Sequence, residues 1–486
     1  MAKMVLVTKG TGGDLFPFLR VGRALEARGH EVVLLSHWYH AERVGRAGLR
    51  FAPLDDPAEV PQYEEQTTVN PQHRRNALAD QVEFVANHAE AGRPAPRAPE
   101  RQGPKLSLFG LSLDKGLREF RAIAEQCAGG AVLVANYIAF LTARPVAERL
   151  GVPFVSVFMS PGFIPDWILN LPFFDELYGH VGADLNRVRE EVGLAPVSDW
   201  RRWLVTADCF AGMWPDWFAP ARPGRAPEIV PVGFAVDDVA AGGELPEELR
   251  GVLDPREPPV LITHGTSIPT RADFFEVAAE ACGLAGLRGL LVCKFAELIP
   301  PALPPGVKWF DFLPFGRLMP HVSCIVHHAG IGTSAQALAS GIPQLVMAQG
   351  HDRAGSARCL AELGIAETFS PLEWQAERVA AALRRSVESS PLRRRCAELA
   401  QRLRGADAVT RACEVFEEFI PGAGAREAAA PAASVEAPRE GEGRGAGPKA
   451  THGLLANLSP AQRALLSKRL QARLASRAEV NSLPAD

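Results

Sequence analysis

An apolar run that stops at a glycine-rich turn and opens into a helical pattern occurs twice in this chain. That repetition constrains the fold more than any other feature. Near the start, Val5 to Val7 leads into Gly10-Thr11-Gly12-Gly13; Leu19, Val21, Ala24 and Leu25 then follow at helical spacing, and Gly29-His30 precedes a second run, Val32 to Leu35. Short apolar runs bounded by turn residues read as buried strands, and strand, loop, helix, strand is the unit of a parallel α/β sheet. Runs at 131–135 and 153–158 extend this first sheet. The pattern restarts at Val260-Leu-Ile-Thr, followed by His264-Gly265-Thr266-Ser267, and continues at 289–293, 324–327 and 344–348. We therefore expect an α/β protein of two Rossmann-like domains, 1–240 and 241–421, facing a cleft. Asp237, Asp238, Gly242, Gly243 and Pro246 mark the linker, near 235–256.

Residues 56–110 are rich in Pro, Arg, Gln and Glu without clear periodicity, and read as long mobile connections on the first domain. Residues 422–451 turn to Ala, Gly, Pro and Glu, the composition of a flexible linker. In the tail, 452–486, Ser459 and Gln462 form a capping-box pattern around Pro460, and Leu466, Leu470 and Leu474 repeat at helical spacing. Two readings of this helix stand side by side: a docking element for a protein partner, and a basic amphipathic tail without one.

Composition excludes several classes. At 486 residues and 47% hydrophobic, the chain can build two large cores. Its net charge of −4 argues against a generally basic surface for nucleic acid. The eight cysteines contain no C-x-x-C pair and read as reduced buried thiols, not a disulfide frame or zinc site. The opening Met-Ala-Lys-Met-Val-Leu-Val reads as a strand and not a signal peptide, and no apolar run reaches membrane-spanning length. The expectation is a soluble, cytoplasmic protein without a membrane span.

The segment richest in chemistry is His327-His328-Ala329-Gly330-Ile331-Gly332-Thr333-Ser334, directly after the run Cys324-Ile-Val. A strand that ends in small residues and opens a helix presents unpaired N–H groups and the positive helix end, which suits a pyrophosphate. Glycines let the phosphates approach, and histidine, Thr333 and Ser334 can donate further hydrogen bonds. A plain strand–helix turn would carry the same glycines. Asp352, in Gln349-Gly350-His351-Asp352-Arg353, falls at the carboxyl edge of the next strand, where α/β folds bind ligands.

The stretch 309–364 holds Trp309-Phe-Asp-Phe-Leu-Pro, the His-His-Ala-Gly-Ile-Gly-Thr loop, Gly341-Ile-Pro-Gln and the Asp352 loop. It resembles the donor-binding signature of family 1 glycosyltransferases of the GT-B fold. Gly10-Thr-Gly-Gly-Asp-Leu-Phe-Pro-Phe resembles the matching turn of their acceptor domain, especially in sterol, glycopeptide and rhamnolipid enzymes. Trp214-Pro-Asp-Trp-Phe-Ala-Pro, and Leu150-Gly-Val-Pro-Phe-Val-Ser-Val with Ser160-Pro161, look most like the rhamnosyltransferases of rhamnolipid synthesis.

The resemblance implies inverting, metal-independent transfer of a hexose or deoxyhexose from a UDP- or dTDP-sugar to a hydroxyl of a lipid, polyketide or peptide-type product. It implies no cofactor, and no Asp-x-Asp occurs in the chain. Asp14 aligns with the acidic residue regarded as the catalytic base; it also suits a cap on a helix beginning near Leu15. His37 and His40 are rivals placed nearer the domain surface. For the donor, the resemblance implies His328, Gly330, Gly332 and Thr333 on the diphosphate, with Thr266 and Ser267 reaching the same phosphates. Phe312 and Leu313 would hold the base, and Asp352 and Arg353 the sugar. For the acceptor it implies Gly12, Gly13, Phe16, Ser160 and Trp214. Ala329, Gln336 and Arg353 depart from the usual glycine, ribose-binding glutamate and hexose-reading glutamine. The tail resembles helical segments before condensation domains of nonribosomal peptide synthetases, so a synthetase is one candidate partner. Two other functions stay open: a sugar-nucleotide epimerase of the same fold, and an idle nucleotide-sugar-binding partner of another transferase.

Overall fold

A computed structural model describes residues 1–59, 113–163, 174–220, 227–236, 245, 247–250, 252–265, 271, 273–348 and 351–422. The expected connections within 60–112, the linker from 423 and the tail helix lie outside these.

Two parallel sheets organise the chain. The first comprises β1 (Lys3–Val7), β2 (Glu31–Ser36), β3 (Arg50–Pro53), β4 (Val132–Asn136), β5 (Phe154–Phe158), β6 (Cys209–Gly212) and β7 (Val230–Pro231). Its order is β3-β2-β1-β4-β5-β6-β7. The second comprises β8 (Val260–Thr263), β9 (Gly289–Val292), β10 (Val307–Phe310), β11 (Cys324–His327), β12 (Gln344–Met347) and β13 (Ala366–Phe369), in the order β10-β9-β8-β11-β12-β13. In each, the chain starts in the middle, winds to one edge and returns to build the other. The centre of the sheet is therefore where strand order reverses, and loops on either side part there to leave a crevice. Helices cover both faces, which is why β4, β5, β8, β9, β11 and β12 are buried along their whole length and read as continuous apolar runs.

The helices that position the site are α1 (Gly12–Ala27), α2 (Phe274–Ala285), α3 (Ile331–Ser340), α4 (His351–Glu362) and α5 (Ala408–Glu417). The first of these starts at Gly12, three residues before the expected Leu15, so Asp14 lies in its opening turn and Thr11 is the cap. Helix α5 returns to the first domain. Ala412, Cys413, Val415 and Phe416 join the core of Met4, Leu6, Val21 and Leu25. Outside that core, Arg28 donates two hydrogen bonds to the Glu417 carboxylate at 2.7 and 2.6 Å, and His30 Nε2 lies 2.9 Å from it.

The domains also meet beyond the carboxyl end of β5. After β5, the Ser160 hydroxyl is 2.9 Å from that of Ser356 on α4, and both are fully buried. Close by, a Cβ added at Gly355 would lie 2.6 Å from the Gly162 Cα, so the two backbones pass closer than any side chain allows. The carboxyl edges of the two sheets are thus turned toward each other.

If α5 is integral to the first domain, Phe416→Ala should cost about 3–5 kcal/mol, as for a large buried aromatic. Urea unfolding measures it; a loss below about 1 kcal/mol would show that the helix rests on the domain without supporting it.

Candidate active site

Strand β11 ends in two histidines whose roles separate by alternation. His327 points into the fold. Its Nδ1 accepts the Ala329 N–H at 3.2 Å and its Nε2 lies 2.9 Å from Gln344 Oε1, which fixes a neutral ring with the proton on Nε2. Burial pushes its pKa down to about 4, against the hydrogen bond to Gln344. His328 points the other way, toward the end of β8, and its ring stands at 90° to that of His327. Burial first, then His264, Arg353 and His327, hold its pKa well below 6.5, so it too is neutral and offers one N–H.

Two glycines make room for that ring. A Cβ at Gly330 would fall 2.4 Å from His328 Nε2, and one at Gly265 would fall 2.8 Å from its Cε1. The same Gly265 position lies 3.7 Å from the Thr333 hydroxyl, so imidazole and hydroxyl converge on one loop. Gly330 is the cap of α3, which puts the unpaired N–H groups of that helix beside them. Gly332 has open space where a side chain would be. Ser334 is the correction here: its hydroxyl donates to the Gly330 carbonyl at 3.0 Å and is buried in the helix, so it does not face a phosphate. Ala329, in place of the usual glycine, holds φ at 64°, a left-handed conformation that costs a non-glycine residue about 1–2 kcal/mol.

Around this centre, Phe312 is three-quarters exposed while Leu313 beside it is buried in the core. Asp352 and Arg353 occupy the first turn of α4. The Asp352 side chain, and Thr266 and Ser267 altogether, lie outside the described residues. Gln336 is half-buried on α3.

Across from these, the end of β1 builds the second half. Gly10 has φ +121°, and a Cβ there would strike Asp14 Oδ2 at 2.2 Å. Only glycine lets the loop close over the carboxylate, which accepts the Thr11 N–H at 2.9 Å. Asp14 is therefore not the N-cap expected of it but the third helical residue of a capping box whose cap is Thr11. Gly12 and Gly13 follow, and Phe16, one turn on, is nearly half exposed. Tyr39 donates to the Gly10 carbonyl at 2.5 Å, with His40 Nε2 3.2 Å from the same oxygen. His37 and His40 are buried, contrary to the expected surface position. A pair that sequence reading missed explains this. His37 Nδ1 sits 2.7 Å from Asp55 Oδ2, while Asp55 Oδ1 accepts the Trp38 N–H at 2.6 Å. Burial raises the Asp55 pKa, but those two hydrogen bonds outweigh it and hold the carboxyl below its usual range. Nothing in the spacing of His37 and Asp55 could reveal the pair, because it joins the ends of two different strands. Ser160 is engaged with Ser356, and Trp214 is sealed in the first-domain core with its indole N–H on the Ala219 carbonyl.

The family model described as "Glycosyltransferase family 28 N-terminal domain" matches residues 4–165, and "Erythromycin biosynthesis protein CIII-like, C-terminal domain" matches 296–417. The chain is a glycosyltransferase of the GT-B type. As its likeness to family 1 implied, the relatives are enzymes of that kind. Vancomycin aglycone glucosyltransferase from Amycolatopsis orientalis is 26% identical over 388 residues, 75% of this chain and 84% of its own. O-mycaminosyltylonolide 6-deoxyallosyltransferase from Streptomyces fradiae is 27% identical over 445 residues, 86% and 97% of the two chains. Among solved structures, glycosyltransferase VinC in complex with dTDP shares the fold at a TM-score of 0.59 and 18% identity, covering 86% of this chain and 99% of its own. Among the described residues, no helix of this glycosyltransferase is long and apolar enough to cross a membrane.

The buried His327 gives the enzyme a testable acid sensitivity. Its folded pKa of about 4 lies below the ordinary 6.5, so between these values the unfolded chain binds a proton that the fold refuses. This contribution is complete above about pH 6.5 and is lost as the pH falls toward 4. His327→Asn should remove about one proton from the slope of unfolding free energy over that window. Equal slopes in the two proteins would show that His327 titrates in place.

Proposed function

We propose that this glycosyltransferase performs an inverting, metal-independent transfer of a hexose or deoxyhexose from a UDP- or dTDP-sugar to a hydroxyl of a natural-product acceptor. The observation that carries the reading is the convergence of a neutral His328, the Thr333 hydroxyl and the start of α3 around Gly265. We assign the acceptor to residues 1–240 and the donor to 241–421.

In this reading the diphosphate lies on α3, receiving N–H groups from the helix start, one from His328 and the Thr333 hydroxyl. Arg353, close enough to His328 to depress its pKa, adds a permanent positive charge. Phe312 offers an exposed ring for the pyrimidine, and Asp352 the carboxylate for sugar hydroxyls. From the opposite domain, Asp14 takes the proton of the acceptor hydroxyl. That oxygen forms its bond to the anomeric carbon from the face opposite the diphosphate, whose bond to the same carbon breaks, inverting the centre. The leaving diphosphate gains charge as the bond lengthens, and donors fixed beforehand stabilise that charge without reorganising. The relatives' acceptors, a vancomycin aglycone and a mycaminosylated macrolide by their names, support a large natural-product acceptor. Phe16, exposed one turn from Asp14, supplies an apolar contact for it.

Asp14→Asn should keep dTDP and UDP affinity but lower turnover by about 10²–10⁴-fold, the usual loss of a general base. Near-normal turnover would move the role to the His37–Asp55 pair. His328→Ala should weaken nucleotide binding by about 1–3 kcal/mol in calorimetry. Turnover should persist in EDTA; strong inhibition by the chelator would overturn the metal-free mechanism.

A further inference from the structure

We propose that His264 is a positioning residue, whose ring fixes the plane of the diphosphate-binding His328. The inference rests on the donor reading of His328 above.

Register brings the two together. Strands β8 and β11 pair in parallel with Ile262 opposite Val326, so two residues further on His264 stands opposite His328, on the same face. Their rings stack with centroids 4.4 Å apart and planes 26° from parallel. Behind His264 the support continues into the core. Phe274 on α2 meets it edge-on at 5.1 Å, and Trp374 stacks on Phe274 at 5.2 Å with planes only 3° apart. Phe369 then closes on Trp374 at 5.6 Å, and the Trp374 indole N–H donates to the Phe274 carbonyl. Every ring from His264 to Phe369 is buried, so the column has no freedom to slide.

His328 needs such a support. His327 is held by hydrogen bonds at both ring nitrogens, whereas His328 Nδ1 has no hydrogen-bond partner among the described residues. Directional bonding does not orient this ring from that side; packing does. Gly265 and Gly330 bound it so closely that a single methyl group at either would collide with it. The His264 plate supplies the remaining wall. The ring is thereby confined to one orientation before a nucleotide arrives, and its N–H meets the phosphate without loss of rotational freedom. The charged and titratable groups facing His328 are His264, Arg353 and His327; all three disfavour its protonation, in keeping with a ring that binds as a neutral donor.

The test separates a flat plate from mere filling. His264→Phe keeps a planar ring, whereas His264→Leu and His264→Met fill the space without one. dTDP and UDP affinities are measured by calorimetry, the His328 tautomer by ring nitrogen NMR, and Tm in parallel. Phe should bind within about twofold of the parent with one dominant His328 tautomer. Leu and Met should lose about three- to tenfold in affinity, the scale of one aromatic pair, with the two tautomers mixed. Two non-planar replacements keep the result readable if one of them fails to fold. Parental affinity and tautomer in a folded Leu or Met variant would overturn the inference. His328→Ala is measured beside them. Unchanged affinity there sinks the donor reading itself, while a loss there without one in Leu or Met sinks only the role of His264.

Discussion

A parallel sheet with helices on both faces leaves its polar backbone unpaired only along its edges and at its ends, and at the carboxyl ends its strands hand the chain to helix starts. The chemistry proposed for this glycosyltransferase depends on that geometric fact, used twice. At the end of β1 the handover places Asp14 in the first turn of α1; at the end of β11 it places His328, Gly330 and Thr333 at the first turn of α3. Glycine is indispensable at both, for a reason specific to each: Gly10 because its left-handed backbone lies against the carboxylate, and Gly330 because an imidazole occupies the space of its side chain. The two halves are thus variations on one device, arranged around a carboxylate on one side and around the proposed donors to a diphosphate on the other.

The electrostatics of the donor half follow from burial. Three histidines crowd the ends of β8 and β11, and charging any of them would mean burying a cation beside others. His327 and His328 stay neutral, so what His328 would offer the proposed diphosphate is a directional hydrogen bond. In the proposed donor site the permanent positive charge falls to Arg353, with the helix dipole beside it. Arg353 stands where glutamine is usual in the family the sequence resembles. At this position the change adds charge close to the proposed diphosphate site, besides altering what meets the sugar.

Strands β1, β2, β4, β5, β8, β9, β11 and β12 were legible in the sequence because they lie inside the sheets and are almost uniformly apolar. Those that were not legible have physical reasons. Strands β3, β10 and β13 lie at sheet edges and carry charged residues, Arg50, Lys308 and Glu367 among them; β7, also at an edge, is two residues long, and β6, Cys-Phe-Ala-Gly, offers only three apolar residues before a glycine. The sequence could single out Asp14 and the His328 loop because their neighbours are contiguous in the chain. It could not locate the His37–Asp55 pair or the His264–His328 stack, since both are made between strands and exist only once the register is set. It also assigned Ser334 to the phosphate, where the competing bond to the Gly330 carbonyl, a routine of helical serine, wins. Trp214 illustrates the same limit: a large aromatic in a recognisable motif is quoted by resemblance, yet its burial is decided by the packing of the whole domain.

What joins the halves is more specific than apolar contact. The Ser160–Ser356 hydrogen bond and the Gly162–Gly355 approach sit on the turn of α4 that follows Asp352 and Arg353. The helix that carries the proposed sugar-binding residues is therefore the one that the first domain grips. A displacement of the two sheets relative to each other must carry α4 away from the loop after β5, or else break a buried hydroxyl pair and leave both groups unsatisfied by each other. Since backbone touches backbone at Gly162 and Gly355, no side chain is available there to act as a compliant spacer. The spacing between the proposed acceptor base and the proposed sugar site is consequently set in part by main-chain contact, the least adjustable kind. A reaction that needs an oxygen, a carbon and a leaving group in line benefits from having its two halves registered in that way.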